Sequence, residues 1–276
     1  MSESLLLAST PPLSDRAFHD LRSIVYDQAG ISLNDSKKAL VTGRLWKRLR
    51  ALSLGSFEEY VARVRADEPE LVRMLDAIST NETHFFREPS QFRFLAEELL
   101  PAWQADGNRR SIRIWSAGCS TGEEPYSIAM TLLANLRQRE CWTIEVIASD
   151  ISTRVLDHAS NATWPAERIE EIPSEYRRFM LKGIRSQDGR MRAAPALRSL
   201  IAFERINLHE RLPFPAASFD AIFCRNVLIY FDKESRRRAL ERMLPLLAPG
   251  GHFFVGHAET LGGTPLAPVA SMVYRR

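Results

Sequence analysis

The chain has 276 residues, more than one hydrophobic core usually needs and enough for two domains. Apolar residues make up 45% and charged residues 26%, which excludes a disordered tail, a collagen-like repeat and a small disulfide scaffold. A formal charge of +3 names no partner by itself, but its placement is uneven. Lys37 to Arg50 carries six basic residues and no acid, and Arg177 to Arg198 carries seven against Asp188 alone. Such windows are either solvated faces or docking surfaces for an acidic macromolecule.

Residues 1–13 read as a short mobile leader. Ser14-Asp15 then caps a helix through Phe18, Leu21, Ile24 and Val25, which recur at three and four residue spacing and stop at Gly30. A second helix over 36–51 turns Leu40, Leu45 and Leu49 inward and its basic residues outward. Ser56 and Glu59 form a capping box for a third helix through Tyr60 and Val64. Pro69 opens a fourth, carrying Leu71, Leu75 and Ile78 to Ser79. Pro89 starts a helix with Phe92, Leu95 and Leu99 that is expected to end near Pro101, and the loop 104–110 suits a boundary.

Beyond residue 110 the texture changes. Short apolar strands at 112–116, 144–149, 201–205, 219–224 and 252–256 alternate with helices at about 123–137, 152–160 and 232–247. That alternation predicts a doubly wound parallel sheet covered on both faces. The segment 165–200 does not fit it. A helix around 173–181, then a charged stretch with Gly183 and Gly189, read as an inserted subdomain. Residues 270–274 suit a last edge strand, antiparallel to its neighbour.

Cys119, Cys141 and Cys224 make no C-x-x-C pair, and none of the six histidines falls in an H-E-x-x-H. The sequence therefore reads as a cytosolic protein with reduced thiols and no zinc. It has no secretory-type start and no 18-residue apolar run, so no membrane insertion is expected.

Chemistry concentrates in four segments. Ile112 to Ser116 leads into Ala117-Gly118-Cys119-Ser120-Thr121-Gly122 and then Glu123-Glu124-Pro125-Tyr126, a strand, a glycine-bracketed turn and a helix. The spacing is neither a P-loop nor G-x-G-x-x-G. Gly118 and Gly122 would let the backbone approach a ligand, and the acids Glu123 and Glu124 suit one with hydroxyls or a positive charge. Asp150 ends the next strand, where a carboxylate can accept from ribose hydroxyls or cap a helix. Arg225 and Asn226 end the strand beginning at Phe219, at the sheet edge where ligands sit; Tyr230 follows, as core or as site wall. Asn81 to Arg87 is dense in polar side chains at the junction of the two domains.

Taken together, Asn81–Arg87, Ser116–Ser127, Ala148–Ser152, Asn207-Leu208, Cys224–Phe231 and Gly256–Thr260 resemble the CheR family of bacterial chemotaxis receptor methyltransferases, in the family's order. The resemblance implies an α/β, Rossmann-like class I S-adenosylmethionine-dependent methyltransferase domain at 89–276, an all-helical N-terminal domain at 14–88 and a small inserted β-subdomain at 165–200. It implies protein-glutamate O-methylation of chemoreceptors, with S-adenosyl-L-homocysteine as product. By the same resemblance, cofactor contacts fall to Asn81, Thr83, Arg87, Gly118, Glu123, Glu124, Asp150, Asn207, Leu208, Arg225 and Asn226. Arg87 and Tyr230 would stand near the departing methyl group. The basic helix 36–51 and the subdomain 165–200 would meet the cytoplasmic part of the receptor, and the chain would be a monomer in the cytoplasm recruited to receptor arrays. One departure is Asn161-Ala162-Thr163-Trp164, where the family often has Gly-x-Tyr.

Two other readings are a nucleic-acid methyltransferase and a non-catalytic adaptor. Against the first, the chain has no Asn/Asp-Pro-Pro-Tyr/Phe tetrad, and its Arg-rich stretch lacks interleaved aromatics apart from Tyr176 and Phe179 at its start. Against the second, Asn81, Arg87, Asp150 and Tyr230 are all present.

Overall fold

A computed structural model describes residues 11–107 and 109–276. The expected leader falls largely outside them, although Leu13, its last residue, is buried. The chain divides into two compact units. The smaller comprises the residues up to Thr80 together with Tyr230–Ser235, and the larger comprises Asn81–Ile229 and Arg236–Arg276.

In the smaller unit, α1 (Asp15–Ala29) begins where the Ser14 hydroxyl accepts from the Ala17 N–H. It ends where Gly30 turns left-handed at φ 69° and donates to the Tyr26 carbonyl, a conformation glycine adopts without strain. After a 3-10 turn, α2 (Lys38–Ala51) buries Val41, Leu45 and Leu49, while Leu40 is only half-buried. Leu45 and Leu49 face inward as the pattern predicts, and only the first position differs, Val41 taking the place of Leu40. In α3 (Phe57–Ala66), Ser56 accepts from the Glu59 N–H, and Glu59 returns to the N–H of Gly55 rather than to that of Ser56. α4 (Glu68–Ile78), capped by Asp67, packs against α2 and α3.

The larger unit opens with α5 (Pro89–Phe94), which runs through a π-helical turn at Leu95–Leu99 into α6 (Leu100–Ala105). Pro101 does not stop this helix. Leu100 donates to the Leu95 carbonyl five residues back, and the proline with its missing N–H falls next to this widened turn. Loop 104–110 lies inside this unit.

The sheet strands are β1 (Ser111–Ala117), β2 (Thr143–Asp150), β6 (Ile201–Arg205), β7 (Phe219–Phe223), β8 (Leu247–Phe254), β9 (Ala267–Ala270) and β10 (Val273–Arg275). They lie in the order β6-β2-β1-β7-β8-β10-β9, parallel from β6 through β8. β10 runs antiparallel between β8 and β9. Residues 270–274 thus form no single edge strand: they hold a turn between two strands, and β9 is the edge. α7 (Glu123–Asn135), α8 (Thr153–Asn161) and α10 (Lys233–Met243) connect them. Trp115, Phe219 and Phe253 are fully buried in the sheet, while Phe223 and Phe254 belong to an apolar core shared with Phe92, Leu95 and Tyr126.

The inserted segment forms a second sheet. β3 (Thr163–Pro165), β4 (Met180–Lys182) and β5 (Arg190–Ala193) pair antiparallel in the order β3-β5-β4. The helix expected at 173–181 is instead a 3-10 turn, Ser174–Phe179, that runs straight into β4. Pro173 at its start and the aromatic pair Phe86–Tyr176, stacked at 4.8 Å, favour a short turn over a full helix. Ala162 sits left-handed at φ 55°, the conformation that glycine supplies where the family has Gly-x-Tyr. Trp164 keeps the aromatic place, fully buried edge-on to Tyr126 and Phe85.

Candidate active site

In a parallel sheet the strand order reverses at one point, and the two connections leave opposite faces there, opening a crevice at the carboxyl ends. In this chain the reversal lies between β1 and β7. Register places Ala117, the last residue of β1, opposite Ser149. The glycine turn therefore emerges beside Asp150. The N–H groups of Gly118 and Cys119 both donate to the Ser149 carbonyl at 2.8 Å, folding the turn back onto β2.

Both glycines are required for conformation and packing. Gly118 has φ 85° and Gly122 φ 99°, regions that L side chains rarely adopt. A Cβ on Gly118 would collide with the Val227 side chain, and one on Gly122 would meet Ala159 of α8 at 2.9 Å. The side each Cβ would occupy is therefore filled by protein. Ser120, between them, is also left-handed at φ 49°.

Asp150 organises the turn. One carboxylate oxygen accepts from the Ser120 N–H at 2.9 Å and the other from the Ser152 N–H at 3.0 Å, at the start of α8. Its cap role is therefore real, and both oxygens stand at the carboxyl end of β2. Ser120 also donates through its hydroxyl to the Asn81 carbonyl at 2.9 Å, bringing the 81–87 segment to the same place. Two polar groups here have no partner among the described residues: the buried Asn81 Nδ2 and Ser152 Oγ. An amide N–H withdrawn from water without an acceptor is costly, so an unfilled Asn81 donor at a crevice marks a place where a ligand oxygen or nitrogen fits.

The next layer is a buried cation. Arg225, 5% exposed, reaches Glu124 at 3.0 Å and Glu88 at 3.3 Å, donates to the Arg87 carbonyl, and lies over the Phe92 ring. Its Nε has no partner among the described residues. Glu124 also accepts from the Ser116 hydroxyl at 2.7 Å. Burial pushes the Glu124 carboxyl above the usual carboxylate range, against the opposing pull of Arg225 and Ser116. Glu88 is left-handed at φ 59° and receives the His257 N–H at 3.1 Å. Arg87 donates to the Glu82 carbonyl at 3.1 Å and remains half-exposed.

Glu123, fully buried, pairs with Arg168, which also holds Glu171 at 2.8 Å and donates to the Thr83 carbonyl at 3.1 Å. Thr83 is thus placed by its backbone, and the inserted segment is tied to the glycine turn. Both acids that follow Gly122 are matched by arginines, Glu123 by Arg168 and Glu124 by Arg225.

Asn226 follows at φ 59°, its N–H held by Glu259 at 2.8 Å. The same buried carboxylate accepts from Gly256 at 2.7 Å and Ile229 at 3.1 Å. Asn207 accepts from the His209 N–H at 3.0 Å and donates to Glu210 at 2.8 Å, beside the nearly buried Leu208. Because Ile206 donates to the Asp150 carbonyl at 3.2 Å, this turn leaves β6 next to Asp150. Tyr230 is grouped with the smaller unit, where its carbonyl accepts from the Ser32 N–H at 2.9 Å. Cys119 and Cys224 are buried thiols pushed to higher pKa by burial first and by neighbouring carboxylates second, so neither is a ready nucleophile.

The structure thus brings Asn81, Thr83, Arg87, Gly118, Glu123, Glu124, Asp150, Arg225 and Asn226 into one hydrogen-bonded assembly in the larger unit. Sequence reasoning did not single out Ser120, Glu88, Arg168 or Glu259 as site residues. Glu259 lies in the Gly256–Thr260 segment and Glu88 directly precedes Pro89, whereas no local pattern marks Arg168.

A parallel sheet reversing between β1 and β7, an antiparallel strand inserted near one edge, and an acid ending the second strand define a class I, Rossmann-like methyltransferase. The comparisons with known proteins narrow this. The CheR methyltransferase all-alpha domain matches residues 16–79, and the CheR methyltransferase SAM binding domain matches residues 81–270. "Chemotaxis protein methyltransferase 2" of Pseudomonas aeruginosa is 46% identical over 243 residues, covering 88% of this chain and 85% of its own length. "Chemotaxis protein methyltransferase" of Salmonella typhimurium is 39% identical, covering 93% and 88%. Its namesake in Borreliella burgdorferi is 36% identical, covering 88% and 87%. The chain belongs to the CheR methyltransferase family.

Proposed function

We propose that the protein transfers a methyl group from S-adenosylmethionine to glutamate side chains of bacterial chemoreceptors, forming methyl esters and S-adenosylhomocysteine in sensory adaptation. The observation that carries the reading is the unsatisfied Asn81 amide beside the turn fixed by Asp150, at the carboxyl edge of β1 and β2. A nucleoside offers the Asn81 amide the acceptor it lacks and brings hydroxyls to the carboxyl end of β2, where Asp150 stands. Asn81, Thr83, Gly118, Asp150, Asn207, Leu208 and Asn226 would hold the cofactor. Arg225, Glu123 and Glu124 support that set through the backbone they fix.

When bound, the cofactor supplies a methyl group activated by positively charged sulfur. A glutamate side chain is already ionised at pH 7, so the protein needs no strong general base. The chain's task is alignment and exclusion of water from the attacking carboxylate. Arg87 orients that carboxylate: its backbone is held by Arg225, and its guanidinium has N–H groups beyond the one given to Glu82. Tyr230 positions carboxylate or methyl donor through its hydroxyl. Glu123 and Glu124 face arginines, and the transfer needs no proton from either.

Receptor docking falls to α2 and the inserted subdomain, and the structure narrows which charges are available. In α2, Lys38 pairs with Asp15, Arg48 with Glu70, and Arg44 with the Ile78 carbonyl and Thr80. Lys37, Lys47 and Arg50 form no ion pair with a described residue. In the subdomain Arg177 pairs with Glu170, while Lys182, Arg185, Arg190 and Arg192 are exposed. Each set supplies positive charge toward an acidic receptor segment, and the chain acts as a monomer in the cytoplasm at receptor arrays. No helix among the described residues is long and apolar enough to cross a membrane.

The test is transfer of labelled methyl from S-adenosylmethionine to receptor-containing membranes. The expected product is label on receptor that alkali releases as methanol, the signature of a carboxyl ester. Alkali-stable label, label on nucleic acid, or cofactor binding without any transfer would each overturn the reading.

A further inference from the structure

The segment that carries Tyr230 is held by the helical unit. Tyr230–Ser235 groups with the first eighty residues, not with the chain on either side of it. Three ties account for this. The Ser32 N–H donates to the Tyr230 carbonyl at 2.9 Å, and Ile31 forms an antiparallel bridge with Phe231. The Tyr26 hydroxyl donates to the Asp232 carboxylate at 2.9 Å. The other Asp232 oxygen accepts from the Ser235 N–H at 2.7 Å, capping α10. Asp232 is therefore a junction: one oxygen fixes the following helix and the other is fixed by α1.

The sequence explains why α1 can do this. Gly30 reverses the chain at the end of the helix, so Ile31 and Ser32 leave it extended, as strand-like pairing requires. Tyr26 lies one turn before Gly30 and accepts its N–H, which sets the phenol beside the same reversal. Tyr230 follows Asn226 at φ 59°, in a loop with only a single 3-10 turn of regular structure, Leu228–Tyr230. A side chain on such a loop keeps one position only if its backbone is tied down.

We propose that Tyr26 and Asp232 are positioning residues for methyl transfer: their hydrogen bond, with the Ser32–Tyr230 bond beside it, fixes the backbone from which Tyr230 acts. This rests on the role of Tyr230 proposed above. Loss of the bond leaves the cofactor contacts of the larger unit intact and loosens only Tyr230, so it lowers kcat and spares cofactor affinity.

The experiment uses the full chain, in wild type, Tyr26→Phe, Asp232→Asn and the double variant. Asn at 232 keeps an oxygen to cap α10 and removes the charge that Tyr26 meets. Single-turnover methyl transfer to receptor membranes, S-adenosylhomocysteine affinity and thermal unfolding are read together. Each single variant is expected to lower the transfer rate about five- to tenfold with affinity unchanged, and the double variant is expected to match the slower single one. Rates within twofold of wild type in folded single variants, effects that multiply in the double variant, or loss of rate in step with affinity would overturn it. A wild-type chain that transfers no methyl to receptor overturns the reading beneath it, a result the variant ratios cannot mimic.

Discussion

Each unit sets an arginine against buried acid, and the two clusters serve different ends. In the helical unit Arg48 of α2 meets Glu70 of α4 through Nε at 2.9 Å and Nη2 at 2.5 Å, and Tyr60 of α3 donates to the same carboxylate at 3.0 Å. Three helices are joined through one fully buried acid whose oxygens are all matched. In the larger unit Arg225 joins Glu124, Glu88 and the Arg87 carbonyl, yet its Nε has no described partner and an unfilled Asn81 amide belongs to the same assembly. A closed cluster specifies how helices meet. A cluster with open hydrogen-bonding capacity at a sheet edge specifies where a ligand goes.

The largest effect that can break this comparison comes from Arg225→Met. Two buried carboxylates lose their cation, which costs about 3–5 kcal/mol by the usual penalty for breaking a buried pair. Denaturant unfolding is expected to show that loss together with weakened S-adenosylhomocysteine binding. If affinity survives in the folded fraction, Arg225 belongs to the fold alone.

Glu70→Gln is the matched change in the other unit. It should cost about 1–3 kcal/mol, as for a hydrogen bond to a charged group lost in a buried site, and leave cofactor affinity untouched. Acid sharpens the contrast. Burial raises the Glu70 carboxyl, but Arg48 and Tyr60 outweigh it and hold it below its ordinary value. A depressed acid stabilises the fold above its unfolded pKa, and that stability is lost as pH falls through the folded value. Glu124 is raised instead, so it opposes folding above its folded pKa and this cost is relieved as pH falls toward its unfolded value. Unfolding curves from pH 7 downward should therefore show a Glu70 contribution that fades in acid and a Glu124 contribution of opposite sign. Each should vanish in the corresponding Gln variant.

The smallest effect concerns the outer charges. Lys47→Glu with Arg50→Glu should raise the apparent KM for receptor by about two- to fivefold, since exposed charges steer more than they bind, and leave stability and cofactor affinity alone. An unchanged KM would remove α2 from the docking surface.

Local signals carried much of this into the sequence. Ser14 and Gly30 bound α1, Ser56 caps α3, and apolar runs mark the strands because those features act within a few residues. The sequence also points to Asp150, Arg225 and Asn81 as site members. It could not tell what their partners are, since Glu124 and Arg225 meet only when β1 and β7 pair. For the same reason the arginine partners of Glu123 and Glu124, and the packing of Val227 against Gly118, could not be read from the sequence. The helix running past Pro101 depends on a π-turn that no composition announces, and Arg168 reaches Glu123 from a separate subdomain.

The central claim is that the crevice beside Asp150 holds the cofactor, with the Asn81 amide as an unfilled donor. Asn81→Leu keeps the volume and removes that donor. Calorimetric titration with S-adenosylhomocysteine, alongside a thermal melt of the ligand-free protein, is the most direct measurement. Affinity should fall by about tenfold or more, as expected for one lost buried hydrogen bond to ligand, with ligand-free stability equal to or above wild type because an unsatisfied buried amide is gone. Unchanged affinity in the folded variant would contradict the account.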